Sequence, residues 1–319
     1  DEKNRTYGAD VQKQWMLNSK ANLILGGSYQ NEFYDNYGGK VTDRHIYAFY
    51  GQYDHNFDDK NELILGARET WTTAGYNGQN YDNFSLSGQY LHKLTDNDSL
   101  YVSAAQSFIM PTFSQMYGAS EQAISNPDLK PQKGTNYEIG WKHINDSHSW
   151  KTAIYHIDIT DNITATWNGS KSEYQYTNED FKNTGIEMTC DIKGSNGFSY
   201  NWGINYGDPK VKGTKKPYWD RKYGRLQLNG GITYTKDKWI SSLQATYLAE
   251  RVETPSSSHS YSEKPYLLTS LTTTYNADNR NSFTLALDNI LDREDNLSHS
   301  GSEYYSTPFN FMLTYDYKF

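Results

Sequence analysis

About fifteen segments of this chain alternate between apolar and polar side chains, and the connections between them alternate as regularly between short and long. The last segment shows the pattern plainly. Phe309, Phe311, Leu313, Tyr315, Tyr317 and Phe319 share one parity, while Asn310, Met312, Thr314, Asp316 and Lys318 share the other. A period of two places such sets on opposite faces of a strand. Chain ends fray unless something holds them, so a final strand patterned this sharply is expected to be paired along its length. What its apolar face touches is then the central question.

The alternation predicts strands at 5–16, 20–32, 44–56, 61–73, 82–93, 99–108, 134–145, 150–161, 183–193, 198–208, 223–235, 239–250, 265–276, 282–289 and 308–319. Most run about ten to thirteen residues, the length that crosses a bilayer at a tilt. Short polar turns fall at MLNSK, FDDKN, TDNDS, INDSHS, KGSNG, TKDKW and NADNRN. Longer connections fall between them at 33–43, 74–81, 109–133, 162–182, 209–222, 251–264 and 290–307. A soluble sandwich also alternates along its strands, but Greek-key crossings give no reason for this rhythm of connections. An up-and-down antiparallel transmembrane β-barrel does, with short turns on the periplasmic side and long loops outside.

Composition agrees. The 319 residues include 29 Tyr, 12 Phe and 8 Trp, yet only 36% are hydrophobic, and mean hydropathy is −0.88. A barrel with a wet interior needs no dry aliphatic core, and its interfacial girdles are aromatic. Lys and Arg number 30 against 38 Asp and Glu, for a net charge of −8, which gives no reason to expect nucleic acid, a partner that calls for a basic stripe. The single cysteine, Cys190, excludes an internal disulfide and a cysteine metal cluster. It shares parity with Ile186, Met188 and Ile192 and is expected to be a small apolar side chain on a buried or lipid face. No run approaches the ~18 apolar residues of a membrane helix, and DEKNRTYGADVQ does not read as a basic-then-apolar leader but as the interior of a longer protein. About fifteen strands is an odd number, whereas bacterial single-chain barrels are even. Residues 1–319 are therefore expected to be the C-terminal part of a larger barrel.

The stretch IMPTFSQMYGASEQAISNPDLKPQKGTNYEIG carries Pro111, Thr112, Tyr117, Asn126, Pro127, Leu129, Lys130, Pro131, Tyr137, Glu138 and Gly140. NTGIEM at 183–188, LALDNILDRED at 285–295 and the aromatic terminal strand follow in order. Together these resemble the C-terminal half of the TonB-dependent outer-membrane receptors, although the family's Tyr after N-L-x-D is missing near Glu294 and Asp295. The resemblance implies a barrel of about 22 strands around a plug, with the plug, its box for the energising partner and the first strands absent from these residues. It also implies a bacterial outer-membrane location, lipid around the wall, a TonB-type energy-coupling protein, and barrel-assembly machinery that reads the strand ending at Phe319. Independently of the family, Asn126-Pro127 and Lys130-Pro131 restrict the backbone to extended and turn conformations. They are expected to be scaffold and not ligand contacts.

No HExxH, GxxxxGK[ST], GxSxG or EF-hand calcium loop is present, so no enzyme and no resident cofactor or metal is expected. His259 beside Ser258 and Ser260, and His299 beside Ser298 and Ser300, are the sites a hydrolase would use. Polar loop composition explains them as well. Asp158 and Asp161 fit a solvated rim. The binding candidates are Trp167, Tyr174 and Tyr176 in loop 162–182, and Lys210, Lys212, Lys215, Lys216, Tyr218, Trp219 and Arg221 in loop 209–222. Cations with aromatic faces suit an anionic, aromatic metal chelate such as a ferric siderophore, and equally suit anionic lipid and an interfacial girdle. The resemblance implies that a haem receptor would carry a histidine before N-P-x-L, and residues 109–126 have none. The expected function is active import of a ferric siderophore. Cobalamin or haem uptake, a passive porin and an outer-membrane hydrolase are the alternatives.

Overall fold

The computed structural model describes residues 3–35, 41–73, 80–118, 120, 122–168, 172–255, 258–299 and 303–319. Ser300 and parts of the long connections lie outside the described residues. The elements are β1 (Lys3–Asn18), β2 (Ala21–Asp35), β3 (Val41–Asn56), β4 (Asn61–Thr72), β5 (Asn83–Lys93), β6 (Asp98–Ile109), α1 (Phe113–Tyr117), β7 (Ala123–Ile124), β8 (Gln132–Ile144), β9 (His148–Asn168) and β10 (Glu173–Lys193). Then follow β11 (Phe198–Gly207), β12 (Lys210–Gly213), β13 (Lys216–Arg221), β14 (Leu226–Lys236), β15 (Trp239–Ala249), β16 (Arg251–Glu253), β17 (Tyr261–Glu263), β18 (Tyr266–Asn276), β19 (Asn281–Asp288) and β20 (Asn310–Tyr317).

Fifteen of these strands form the wall, and β7, β12, β13, β16 and β17 lie in the long connections. Each wall strand pairs antiparallel with the next, from β1–β2 to β19–β20. β1 pairs with β2 alone and β20 with β19 alone, so the described sheet is an open, curved wall.

Two boundaries differ from expectation. β9 and β10 are 21 residues long each, and most of 162–182 is a β-hairpin extending the wall outward. One face of this hairpin carries Ile163, Ala165, Trp167, Tyr174 and Tyr176 and the other Thr164, Thr166, Gln175 and Thr177, and such threonines and aromatics favour strand. The ladder shifts register between Glu179 and Phe181, where Asp161 has φ 55°. That bulge separates wall from extension. Residues 209–222 and 251–264 likewise contain hairpins, β12–β13 and β16–β17.

Cross-strand partners share a face, so the register sorts side chains across the whole sheet. One row runs Leu267, Tyr247, Leu228, Ile204, Met188, Thr152, Trp141, Leu100. A row on the opposite face runs Gln227, Asn205, Glu187, Ala153, Gly140, Tyr101. At the C-terminus Phe283, Leu285 and Leu287 pair with Tyr315, Leu313 and Phe311, while Asp288 and Ser282 pair with Asn310 and Asp316 on the other face. The apolar face is uncovered by protein, as with Leu313 at 70% exposure. A face of this kind belongs against lipid. Cys190 is buried on it between its partners Trp150 and Trp202.

The inner face uses one packing device three times. Tyr50, Tyr101 and Tyr155 stand opposite Gly26, Gly140 and Gly185. Each ring lies where a Cβ on its partner would fall, 2.5 Å from the Tyr101 ring at Gly140 and 2.5 Å from the Tyr155 hydroxyl at Gly185. The short turns are built by side chains. Asp58 accepts from the Lys60 and Asn61 amides, and Asp278 from those of Arg280 and Asn281. Asn61 and Asn281 then each accept a tyrosine hydroxyl, from Tyr90 and Tyr315 (2.6 Å each). This repeated D-x-x-N turn fixes one end of the wall, and every long connection lies at the other.

Candidate ligand site at the loop end

The connection after β6 does not hang free. Thr112 caps α1 reciprocally with Gln115: its hydroxyl accepts the Gln115 amide and its amide donates to the Gln115 side chain (2.9 Å). Phe113, Met116, Tyr117 and Leu129 then pack with Tyr34 and Tyr81 into the one hydrophobic cluster among the described residues. Buried Arg44 pairs with Glu32 (2.6 Å), donates to the Pro111 carbonyl (2.9 Å) and lies over the Phe113 ring at 4.9 Å. The N-P-x-L-K-P motif clamps this arc to the outer hairpin. Asn126 donates to the Tyr176 carbonyl (2.8 Å), and Asn178 exchanges hydrogen bonds with the backbone of Lys130 (2.9 and 3.0 Å). Pro127 and Pro131 hold the two bends around fully buried Leu129. Lower on the inner face, Glu138 accepts from the Tyr101 hydroxyl and pairs with Lys151 at 3.3 Å.

The basic segment 209–222 is largely neutralised. Lys210 and Arg225 both pair with Asp208 (2.5 Å each), and Lys222 with Glu179 (2.7 Å). Lys216 pairs with Asp220 (2.8 Å), both buried. Asp220 also accepts the amide and hydroxyl of Ser260 (2.7 and 2.8 Å), which docks β13 onto the neighbouring connection. Burial opposes the charge of Asp220, but the bonds from Lys216 and Ser260 outweigh it and hold its carboxyl below the usual range. At Asp208 burial is likewise outweighed by Lys210 and Arg225. Trp219 faces the Lys182 ammonium (4.0 Å), and Arg221 donates to the Glu250 carbonyl (2.7 Å). Lys212 and Lys215 are exposed, and neither forms an ion pair among the described residues.

Of the sequence candidates, the structure brings Trp167, Lys215 and Lys216 to one cleft. Its volume is about 530 Å³, and Thr166, Thr177 and Glu179 also line it. Trp167 is 52% exposed. Tyr174 and Tyr176 meet edge to face at 5.9 Å, and Tyr176 packs on the hydrophobic cluster under the arc. The neutralising residues Asp220, Glu179 and Asp208 escaped the sequence reading. The even spacing of Lys216 and Asp220 was their one visible signal, since it puts both on one face of a strand.

The histidines considered for catalysis are engaged otherwise. Ser260 gives its hydroxyl to Asp220, and His259 lies tilted against the Tyr218 ring at 4.4 Å. His299 bonds the Val252 carbonyl through Nδ1 (3.3 Å), meets Tyr223 edge-on, and is held below the usual imidazole range by burial. Beside it, buried Arg251 donates to the carbonyls of Lys264, Asn296 and Ser298 (2.7, 2.6 and 2.5 Å) and so ties two connections together. Asn289 and Asp292, of the N-x-x-D motif, close the base of the last connection onto Thr307 and Phe309. β20 ends at Tyr317, and Phe319 lies beyond it, exposed and edge-on to Tyr317.

Residues 1–290 match the family described as "TonB dependent receptor-like, beta-barrel". The chain belongs to that family. It is 25% identical over 311 residues to a ferric-pyoverdine receptor of Pseudomonas putida, covering 88% of this chain and 35% of that one. Among solved structures, the copper transporter OprC superposes over 99% of this chain and 56% of its own, with 16% identity and a TM-score of 0.79. The ferripyoverdine receptor of Pseudomonas aeruginosa superposes over 99% of this chain and 48% of its own, with 16% identity and a TM-score of 0.73. The chain thus spans about half the length of these structures and less of the curated relative. As a TonB-dependent receptor barrel it resides in the bacterial outer membrane, and the family is one of transport receptors, which are not enzymes.

Proposed function

We propose that this wall works within a longer outer-membrane receptor that imports a scarce metal chelate, a ferric siderophore, driven by a TonB-type coupling protein of the inner membrane. The observation that carries the reading is the cleft between Trp167 and Lys215. It combines an exposed indole with a cation that makes no ion pair among the described residues, at the loop end, in a volume suited to a small molecule. Glu179, which would repel an anion there, is neutralised by Lys222. The ferric-pyoverdine receptor related over 88% of this chain supports the same chemistry. We further propose that residues 1–319 are the C-terminal part of the barrel and that a plug and further strands complete it. Recognition of the strand before Phe319 by assembly machinery belongs to the same proposal.

The test is a binding titration of the full-length receptor against haem, cobalamin and a panel of ferric siderophores. Binding of a ferric siderophore that weakens with Lys215→Ala, Trp167→Ala or high salt is the expected result. Tight haem binding that disappears with His259→Ala or His299→Ala would overturn the choice.

A further inference from the structure

The wall has a notch. Pairing of β5 with β6 stops at Ser87–Ala105, whereas β5 stays on β4 up to Asn83 and β6 stays on β8 up to Ile109. Above that point the two strands splay, and the Leu86 amide donates to the Gln106 side chain (2.9 Å) in place of a ladder partner. The opening is a cavity of about 420 Å³ lined by Asn83, Phe84, Gln106, Lys133, His156 and Asp158, with neighbouring hydroxyls.

Its height in the membrane follows from the strands. Lower on the lipid face, Trp141, His143 and Trp150 form an aromatic band, with Trp141 and Trp150 rings 6.3 Å apart. About ten tilted residues span the ~25 Å apolar band, and ten residues up β8 from His143 is Lys133. The notch therefore lies at the outer headgroup level. Directly beneath, on the same face, Val102, Ile139 and Ile154 form an exposed apolar strip.

At the headgroup level the splayed strands are open to water and to polar lipid groups alike, so what favours a lipid is the chemistry of the lining. Lys133 makes no ion pair among the described residues. The His156 ring stacks on Tyr137 at 6.5 Å and bonds Thr184 through Nδ1 (2.7 Å), and its Nε2 has no partner among the described residues. The Lys133 ammonium suits phosphate, and an imidazole N–H can donate to one. Asp158, Asn83 and Gln106 suit sugar hydroxyls and amides, and the strip suits acyl chains. We propose that the notch seats an outer-leaflet glycolipid by its phosphorylated sugar headgroup, with its chains lying over Val102, Ile139 and Ile154.

The experiment uses the full-length receptor in phosphatidylethanolamine nanodiscs, plain or doped with a bisphosphorylated glucosamine-disaccharide glycolipid or its dephosphorylated form. Lysine acetylation is followed by mass spectrometry. Acetylation of Lys133 should slow about tenfold with the phosphorylated lipid alone, while Lys212 in the outer hairpin is unaffected. Lys133→Ala and His156→Gln should each lose most of the glycolipid that the wild type retains through delipidation. Equal acetylation of Lys133 in all three discs would overturn the proposal, and so would undiminished retention by folded variants. The footprint uses the wild-type protein and does not depend on how the variants fold.

Discussion

Lys216 and Asp220, four residues apart on one face of β13, form a buried ion pair at 2.8 Å whose carboxylate also holds Ser260 of the next connection. The lysine that looked like ligand chemistry is thus a latch between two outer hairpins. Its neighbour Lys215 is exposed and makes no ion pair among the described residues.

Lys216→Ala leaves a buried carboxylate uncompensated. Loss of one partner of a deeply buried pair costs about 3–5 kcal/mol. Here the hairpin lies near solvent, so on the order of 2 kcal/mol of local stability is expected to go. Residues 208–225 should become protease-sensitive while the wall stays intact. Lys215→Ala should leave the protease pattern unchanged and weaken only ligand binding.

Acid should open the loop end in two steps. His299 titrates below the usual imidazole range because of its burial. Its contribution is complete above the ordinary value of ~6.5 and is lost as pH falls through its lowered folded value. The carboxyl of Asp220 is held low by Lys216 and Ser260 against burial, and that of Asp295 chiefly by Arg293. Their contributions are complete above ~3.9 and are lost as pH falls through their depressed folded values. Hydrogen exchange in 250–265 and 289–299 should rise in both windows, and His299→Gln should abolish the upper step alone.

Arg251→Lys should loosen those same connections. An ammonium cannot reproduce the fork that reaches three carbonyls at once, and each charged hydrogen bond lost contributes about 1.5–3 kcal/mol. Thermal unfolding should show a lower midpoint for the loop end. An unchanged exchange pattern at 289–299 would contradict the role given to Arg251.

Gly140→Ala should displace the Tyr101 ring, because the added Cβ would stand 2.5 Å from it. Overpacking of this kind costs about 1–3 kcal/mol. The Tyr101–Glu138 bond should be lost with it. The single variant Tyr101→Phe, which removes the hydroxyl and keeps the ring, separates the two effects in heat-modifiability assays.

Asn178→Ala removes both bonds to Lys130 and one to the Asp161 carbonyl. Backbone groups left without partners cost about 1–3 kcal/mol. Residues 120–131 should exchange faster, with α1 protected by its own capping box.

The alternation alone determined the wall. Phe283 to Leu287 and Phe311 to Tyr315 could take only one pair of faces, because a strand repeats every two residues and one face had to be apolar. The rhythm of connections assigned their ends, and ordered motifs from Pro111 to Phe319 pointed to the family. The fate of the charges was decided only in three dimensions. Lys216 and Lys215 are adjacent lysines in one connection, yet one is buried on Asp220 and the other stands in a cleft. Nothing local to a lysine records which acid the fold will bring to it. Trp167, Tyr174 and Tyr176 diverged for the same reason: they share one face of their hairpin, and the cluster around Phe113 and Leu129 that the chain folds back against it covers Tyr176 while Trp167 stays exposed.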